Sequence, residues 1–342
     1  MVTQEQQSII DHAQLQKING WQHIKVKGTP YECGFQEGYL LADEYQDALR
    51  VYKFMTLETF GMTYEWFAEQ ALKLHCDKIP TRWLEELRGM AEGLTAAGIP
   101  TTTDDMIAWN DWMEITGYWW PQNAGKIMSR PLMKTHRKEH CSAIVATGSA
   151  TVDGKPYLGH ESFDEFWSGQ YFNICKRVEP DDGYAFIMQA SAPCMLSSMT
   201  DFYVTAAGLN ITETTLAGFD RYDDAGMPEW VRIRDAVQYA ATIDEFVERL
   251  NKGNNGGYAK PGSSPITIPA RSPASSRAWN SRASSAPSTA RTSVATLCSI
   301  RASATWSART TASTTRASRP VPVASAGWNS SISTTARSTW KS

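Results

Sequence analysis

Apolar and polar residues follow a helical period in the first third of the chain. Apolar positions recur there every three or four residues, which is typical of helices with one buried face. The pattern predicts helices over residues 35–56, 62–76, 81–97 and 103–116. A Thr-Asp-Asp run suits the start of the last of these helices, and a Gly-Ile-Pro run suits the end of the one before it.

Later in the chain the period shortens to two. Short runs rich in β-forming residues at 171–178, 184–189 and 202–206 are separated by turns, and helical patterns follow at 229–241 and 243–250. Helices at the start, followed by strands and further helices, indicate an α+β fold.

One stretch with this short period predicts a β-hairpin. Residues alternate from 142 to 152, an Asp-Gly turn follows, and a second apolar run occupies 156–158. A hairpin returns the chain to its own start, so we expect His160 and Asp164 to lie near Cys141. A thiol beside His and Asp is a candidate nucleophile. The alternative is that Cys141 is a small buried hydrophobic residue.

The composition changes sharply at Lys260. Residues 260–342 contain nine Arg and two Lys but no Asp or Glu, and they are dominated by Ser, Thr, Ala, Arg and Pro. Of the 33 basic residues in the chain, 22 therefore lie before this tail together with all 36 acidic residues, which gives residues 1–259 a net charge of −14. The near-neutral total charge conceals two unlike parts.

We interpret residues 260–342 as a low-complexity basic tail that is translated out of frame and predicted to be disordered. If the codons for residues 260–277 are read one base out of frame, they can encode a strand, a Thr-Gly turn and a second strand. Strands that the original frame would encode after residue 259 would then be missing. The alternative is a basic arm that binds nucleic acid, but the tail has few aromatic residues for base stacking, so we expect no nucleic-acid partner.

The sequence predicts neither secretion nor a membrane span. It contains no apolar run of 18 residues, and its first 17 residues are polar, so we expect a cytoplasmic protein. The six cysteines show no Cys-x-x-Cys spacing. We therefore expect no disulfide framework, no zinc site and no cofactor.

Several motifs carry a family resemblance. They are His140-Cys141-Ser142, Asp153-Gly154, Gly159-His160-Glu161-Ser162-Phe163-Asp164, the stretch from Gly28 to Gly38, Thr200-Asp201-Phe202 and the stretch from Gly253 to Ala259. In this order they resemble the cysteine N-terminal-nucleophile (Ntn) hydrolases, a group that includes the acyl-coenzyme A:6-aminopenicillanic acid acyltransferases (peptidase family C45) and the phospholipase B-like proteins. The resemblance covers residues 20–259, although Glu-Ser-Phe follows His160 where Asn-Thr-Trp is usual.

The resemblance implies a fold and a maturation step. The fold is a four-layer αββα sandwich preceded by a helical N-terminal segment. Self-cleavage between His140 and Cys141 would release a helical chain, residues 1–140, from a catalytic region, residues 141–259. The new α-amino group of Cys141 would then act as the base, because an α-amino group has a reference pKa of about 7.7 to 8.0.

The resemblance also suggests roles for other residues. Asp164 matches a family aspartate that holds the free amino group, while Glu161 and Glu165 are competing carboxylates. The oxyanion of a tetrahedral intermediate needs hydrogen-bond donors, and Asn210, Asn254 and Asn255 are candidates. In the family an asparagine follows Gly-Gly-Tyr-Ala, and Lys260 occupies that position here.

The resulting function is a self-processing amidohydrolase or acyltransferase that acts on an acyl amide through a Cys141 thioester. One alternative is a phospholipase B-like hydrolase of lipid acyl esters. Another is a non-catalytic or inactive truncated relative, because the altered C-terminus would remove part of the catalytic layer. The expected partner is a small-molecule or lipid acyl substrate, and the sequence does not define an oligomeric state.

Overall fold

The computed structural model of the chain describes residues 2–129, 141–212 and 222–257. About half of these residues are helical and about a fifth lie in strands, which confirms the α+β class. His140 and the tail over residues 260–342 lie outside the described residues, so the predicted cut and the predicted disorder stay predictions. None of the described helices is both long and apolar enough to cross a membrane.

The N-terminal part is mainly helical, as predicted. Its helices are α1 (Gln4–Ile10), α2 (Pro30–Leu40), α3 (Ala42–Phe60), α4 (Tyr64–His75), α5 (Thr81–Ala96), α6 (Thr103–Glu114) and α7 (Trp120–Ile127), with a 3₁₀ turn at Cys76–Lys78 and a π turn at Ile115–Trp119. Thr102 caps α6 in a capping box with Asp105, and Gly98 turns the chain after α5 at φ +101°. The predicted helix over 35–56 is wrong as a single element, because Leu41 leaves helical geometry and is fully buried between α2 and α3.

Two strands in the N-terminal part were not predicted. They are β1 (Gln14–Ile18) and β2 (Trp21–Gly28), which form an antiparallel pair. In β2 the residues Gln22, Ile24 and Val26 are buried and alternate with more exposed ones, which is the strand period. The N-terminal part therefore supplies an edge of the main sheet as well as helices.

The remaining elements follow Cys141. They are β3 (Cys141–Gly148), β4 (Gly154–Ser162), α8 (Phe166–Gly169), β5 (Ile174–Pro180), β6 (Phe186–Ala190), β7 (Tyr203–Thr205), β8 (Asn210–Ile211), α9 (Glu229–Tyr239) and α10 (Ile243–Asn251). The predicted hairpin is confirmed as β3 and β4, which pair with each other. The predicted strands and the last two helices are also confirmed, with shifted ends.

The main sheet joins the two parts of the chain. Its six strands run in the order β1-β2-β5-β6-β7-β8, with β2 and β5 parallel and the other pairs antiparallel. Ile174, Val178 and Met188 on one face pack with residues of α9 and α10, such as Val237 and Phe246. The sheet core thus contains side chains from both sides of residue 140.

Helices α2 and α5 approach each other through glycines. A methyl group added at Gly34 would overlap the Glu86 carbonyl, and one added at Gly89 would overlap the Tyr31 carbonyl. Gly38 and Gly93 repeat this arrangement one turn further along the two helices. The missing side chains allow the two backbones to touch, which explains the glycines in the motif from Gly28 to Gly38.

We predict that Gly89→Ala destabilises the protein. Alanine normally favours a helix interior over glycine by about 0.8–1.0 kcal/mol, but here the methyl group has no space. Overpacking of this kind costs about 1–3 kcal/mol, so urea denaturation should show a lower free energy of unfolding. Gly169→Ala is the matched control, because an added Cβ there meets no atom within 4 Å. Equal stability of the two variants would contradict the close helix contact.

Candidate functional site

The hairpin places Cys141 and His160 on one face of the small sheet. Cys141 pairs with Ser162 and Ala143 pairs with His160 in the antiparallel register. Because side chains two residues apart on a strand share a face, Cys141, Ser162 and His160 point to the same side. Ser162 Oγ lies 3.4 Å from His160 Nδ1. The local pattern was therefore sufficient to predict this part of the site.

A third residue, Asp201, completes the cluster. One ligand-type atom from each of Cys141, His160 and Asp201 lies within 4.8 Å of the other two. His160 Nε2 is 3.8 Å from Asp201 Oδ2, and both side chains are at most 10% exposed. The site thus contains a half-buried thiol beside an imidazole and a carboxylate that are largely shielded from water.

Asp201 is held in an uncommon backbone conformation. Its φ is +56°, in the left-handed region that Asp tolerates better than most residues. Ser198 organises the preceding turn, because its carbonyl accepts the Asp201 N–H at 3.2 Å and its hydroxyl oxygen accepts the Phe202 N–H at 3.3 Å. Tyr203 OH in turn accepts the Ser198 N–H at 2.5 Å. Such a backbone is maintained only where the surroundings fix it, and it directs Asp201 towards His160.

The chain just before this turn is fixed by buried side chains. Glu37 accepts the Cys194 N–H at 3.1 Å, and Lys176 donates to the Met195 carbonyl at 2.5 Å. Asn110 accepts the Leu196 N–H at 2.7 Å. The loop that leads to Asp201 is therefore attached to both the N-terminal helices and the main sheet.

The environment keeps the Cys141 thiol protonated. Burial raises its pKa to about 11, the negative charges of Asp201 and Asp164 add to this effect, and hydrogen bonds from Phe163 and Ser162 oppose it. A thiolate is the nucleophilic form of cysteine. In the uncleaved chain the thiol thus needs a base before it can react at neutral pH.

Asp164 lies near Cys141 but outside the cluster. It is exposed, and its Oδ1 accepts the Glu165 N–H at 2.8 Å. Glu161 and Glu165, the competing carboxylates, are exposed as well. The predicted role of Asp164 towards the α-amino group stays a prediction, since that group exists only after cleavage.

The candidate asparagines have different surroundings. Asn210 lies in β8 and pairs with Val204. Asn255 is fully buried; its side-chain amide donates to Glu114 Oε1 at 2.7 Å and to Tyr222 OH at 3.0 Å, and its Oδ1 accepts the Gly257 N–H. These hydrogen bonds attach the end of the described chain to α6. Asn254 accepts the Gly256 N–H within the same turn.

A buried network surrounds Asn255. His75 Nδ1 lies 2.7 Å from Asp111 Oδ2, and Tyr222 OH lies 2.9 Å from His75 Nε2. Trp230 Nε1 donates to Asp111 Oδ1 at 2.7 Å. Burial alone would lower the pKa of His75, but the Asp111 carboxylate outweighs burial and raises it. This network fastens α9 to the N-terminal helices.

A small pocket adjoins the cluster. Asp201, Glu114 and Glu229 line it together with Tyr118 and Trp230. Burial raises the pKa of Glu229 to about 8, the charges of Glu114 and Asp201 add to the shift, and Arg232 opposes it. Glu229 can therefore exchange a proton near neutral pH, and through Asp201 its cavity borders the candidate nucleophile.

Comparison with known proteins identifies the family. The phospholipase B family model matches residues 15–261 of the 342. The chain belongs to the phospholipase B family. This family is part of the Ntn-hydrolase-like group, so the coarser resemblance is confirmed, whereas membership of peptidase family C45 stays a prediction.

One curated relative is similar over much of the chain. An uncharacterized protein of Archaeoglobus fulgidus is 25% identical over 250 residues, which cover 70% of this chain and 40% of the relative. The chain thus spans less than half the length of the curated relative that it matches.

Two residues of this candidate site were missed by sequence reasoning. Asp201 belongs to a motif that carried the family resemblance, so the signal was present, but nothing in its spacing joined it to Cys141. Glu229 looked like the first residue of a helix, and its position in the cavity depends on the packing of α9 against α6.

We predict that Asp201→Asn makes the Cys141 thiol of the uncleaved chain more acidic. Burial and the Asp201 charge both raise its pKa, so removing the charge lowers the pKa and moves the pH profile of iodoacetamide alkylation to lower pH. Peptide mass spectrometry measures the alkylation, with the exposed Cys76 as internal reference. Asp164→Asn should shift the profile less, because its charge has a smaller effect. A larger shift in Asp164→Asn would contradict this geometry.

Proposed function

We propose that this chain is a self-processing hydrolase that removes acyl groups from lipid esters through a thioester on Cys141. The observation that carries the proposal is the cluster of Cys141, His160 and Asp201, with Cys141 at the first position of β3. Membership of the phospholipase B family supports an acyl ester as substrate.

The first step of the proposal is cleavage before Cys141. The Cys141 sulfur attacks the carbonyl carbon of His140, the peptide C–N bond breaks, and the acyl group moves to sulfur while the proton moves to nitrogen. Water then hydrolyses this thioester, which leaves a carboxylate on His140 and a free thiol and α-amino group on Cys141. In its neutral form the new amine can accept the thiol proton as the sulfur attacks, and the ammonium charge formed beside the sulfur favours the thiolate.

The second step is turnover. The thiolate attacks the ester carbonyl, the tetrahedral intermediate collapses, the alcohol leaves with a proton, and the acyl group stays on sulfur. Water hydrolyses the thioester to a carboxylic acid and regenerates the thiol. His160 faces the same space as the thiol and is oriented by Ser162 and Asp201, so it can hold a proton during either step.

The fold is compatible with a cut at this position. Strand β2, from the N-terminal part, pairs in parallel with β5 over seven residue pairs, from Gln22 with Ile174 to Gly28 with Pro180. The buried pairs Glu37–Lys176 and Glu86–Arg234 also span the cut. The two resulting chains would therefore stay associated without a covalent link.

An acyl amide is the second candidate substrate. The argument in its favour is that the proposed maturation would itself require Cys141 to break an amide bond. Amide and ester hydrolysis would proceed through the same thioester, so assays with a lysophospholipid and with an acyl amide distinguish them by their rates.

We predict that Cys141→Ala abolishes both cleavage and turnover. Intact-mass measurement of the purified chain should give two fragments for the unsubstituted protein and one uncleaved mass for the variant. Turnover of lysophospholipid should fall by at least about 10³-fold, as expected for the loss of a covalent nucleophile. Cys76→Ser is the matched control, since Cys76 is exposed and lies outside the cluster.

Two results would contradict the proposal. Normal fragments or normal turnover in Cys141→Ala would remove this thiol from the mechanism. A full-length mass and no turnover in the unsubstituted protein would instead favour a non-catalytic relative.

A further inference from the structure

The Cys141 cluster offers three different ligand atoms to one point. The sulfur of Cys141, a ring nitrogen of His160 and a carboxylate oxygen of Asp201 all lie within 4.8 Å of one another. The three residues come from β3, from β4 and from the turn before β7. The pattern of cysteine spacing could not reveal such a set, because its members are 19 and 41 residues apart along the chain.

The chemistry of this set selects a particular kind of ion. Calcium and magnesium prefer oxygen ligands only, whereas thiolate, imidazole and carboxylate together suit zinc. Ligand atoms in a tetrahedral zinc site lie roughly 3.4 Å apart, given bonds of about 2.0–2.3 Å. His160 Nε2 and Asp201 Oδ2 are 3.8 Å apart, which is close to this separation, and all three ligand atoms lie within 4.8 Å of one another.

We infer that Cys141, His160 and Asp201 form a zinc-binding site in which the Cys141 sulfur is a ligand of the ion. Zinc binding displaces the thiol proton to solvent and forms a Zn–S bond, while the imidazole and the carboxylate replace two waters of the ion. The thiolate and the carboxylate balance the charge of Zn²⁺, and water fills the fourth position. Because the sulfur is then coordinated, it cannot attack an acyl group.

The surroundings give the site a fixed shape. Asp201 is buried and its turn is held by Ser198, and His160 and Cys141 lie on paired strands of one hairpin. Ligands on such elements lose little conformational freedom when the ion binds, which favours binding. Inhibition by zinc rests on the proposed function, whereas zinc binding itself does not.

The binding test uses the full chain after treatment with EDTA. Isothermal titration with ZnCl₂ should show one site per chain, and CdCl₂ should produce the ultraviolet charge-transfer band of a cadmium thiolate. Cys141→Ala should remove both signals, and Cys141→Ser should remove the band while it preserves the side-chain volume. Since loss of an outer-shell partner alone weakens metal binding about 10- to 100-fold, His160→Gln and Asp201→Asn should raise the Kd for zinc at least about tenfold.

A control variant separates this site from other metal-binding side chains. Cys76→Ser should leave the zinc Kd and the cadmium band unchanged, because Cys76 is exposed and lies outside the cluster. An unchanged Kd in Cys141→Ala or in His160→Gln would overturn the site. If zinc binds as described but the protein shows no turnover, the zinc site stands and the proposed function fails.

Discussion

The buried ion pair between Glu37 and Lys176 is the constraint on which the site depends. Both side chains are 1% exposed, and their charged atoms are 2.9 Å apart. Burial raises the pKa of Glu37, and the Lys176 charge opposes that shift. Neither charge could stay buried alone, because removing one partner of such a pair typically costs about 3–5 kcal/mol. Each partner also holds the backbone near Cys194, so the pair joins α2, β5 and the loop that leads to Asp201.

The other buried contacts extend this arrangement across the molecule. Helix α2 reaches α5 through facing glycines, and Glu86 of α5 forms a second buried pair with Arg234 of α9 at 2.8 Å. Asp111 and Glu114 of α6 then bind the segment from Tyr222 to Gly257 through Trp230 and Asn255. Helices before residue 140 thus hold the elements after it by specific polar contacts. The geometry of the candidate site depends on both parts of the chain, although the candidate nucleophile belongs to only one.

Sequence reasoning predicted the parts that local patterns determine. The hairpin from Cys141 to Ser162 follows from period-two alternation and an Asp-Gly turn, and it brought His160 beside Cys141 correctly. Strand β2 has the same alternation of buried and exposed residues. It was not predicted, because charged residues separate its apolar positions. Asp201 could not be placed, because its position depends on a left-handed residue and on a loop held by Glu37 and Lys176. A lysine inside a β-rich run gives no sign that it will be buried opposite a glutamate 139 residues away.

Trapping of the acyl-enzyme tests the central claim most directly. The experiment should use the full chain with its tail intact. The phospholipase B match ends at residue 261, just inside the tail that begins at Lys260, so a shortened chain could lose part of the matched region. The protein is incubated with a phospholipid that carries a labelled acyl chain, quenched in acid and digested for peptide mass spectrometry. We predict one acyl group on the sulfur of Cys141, removable by neutral hydroxylamine as a thioester is. A label on Ser162 or any other residue, or no label on the protein, would contradict the account.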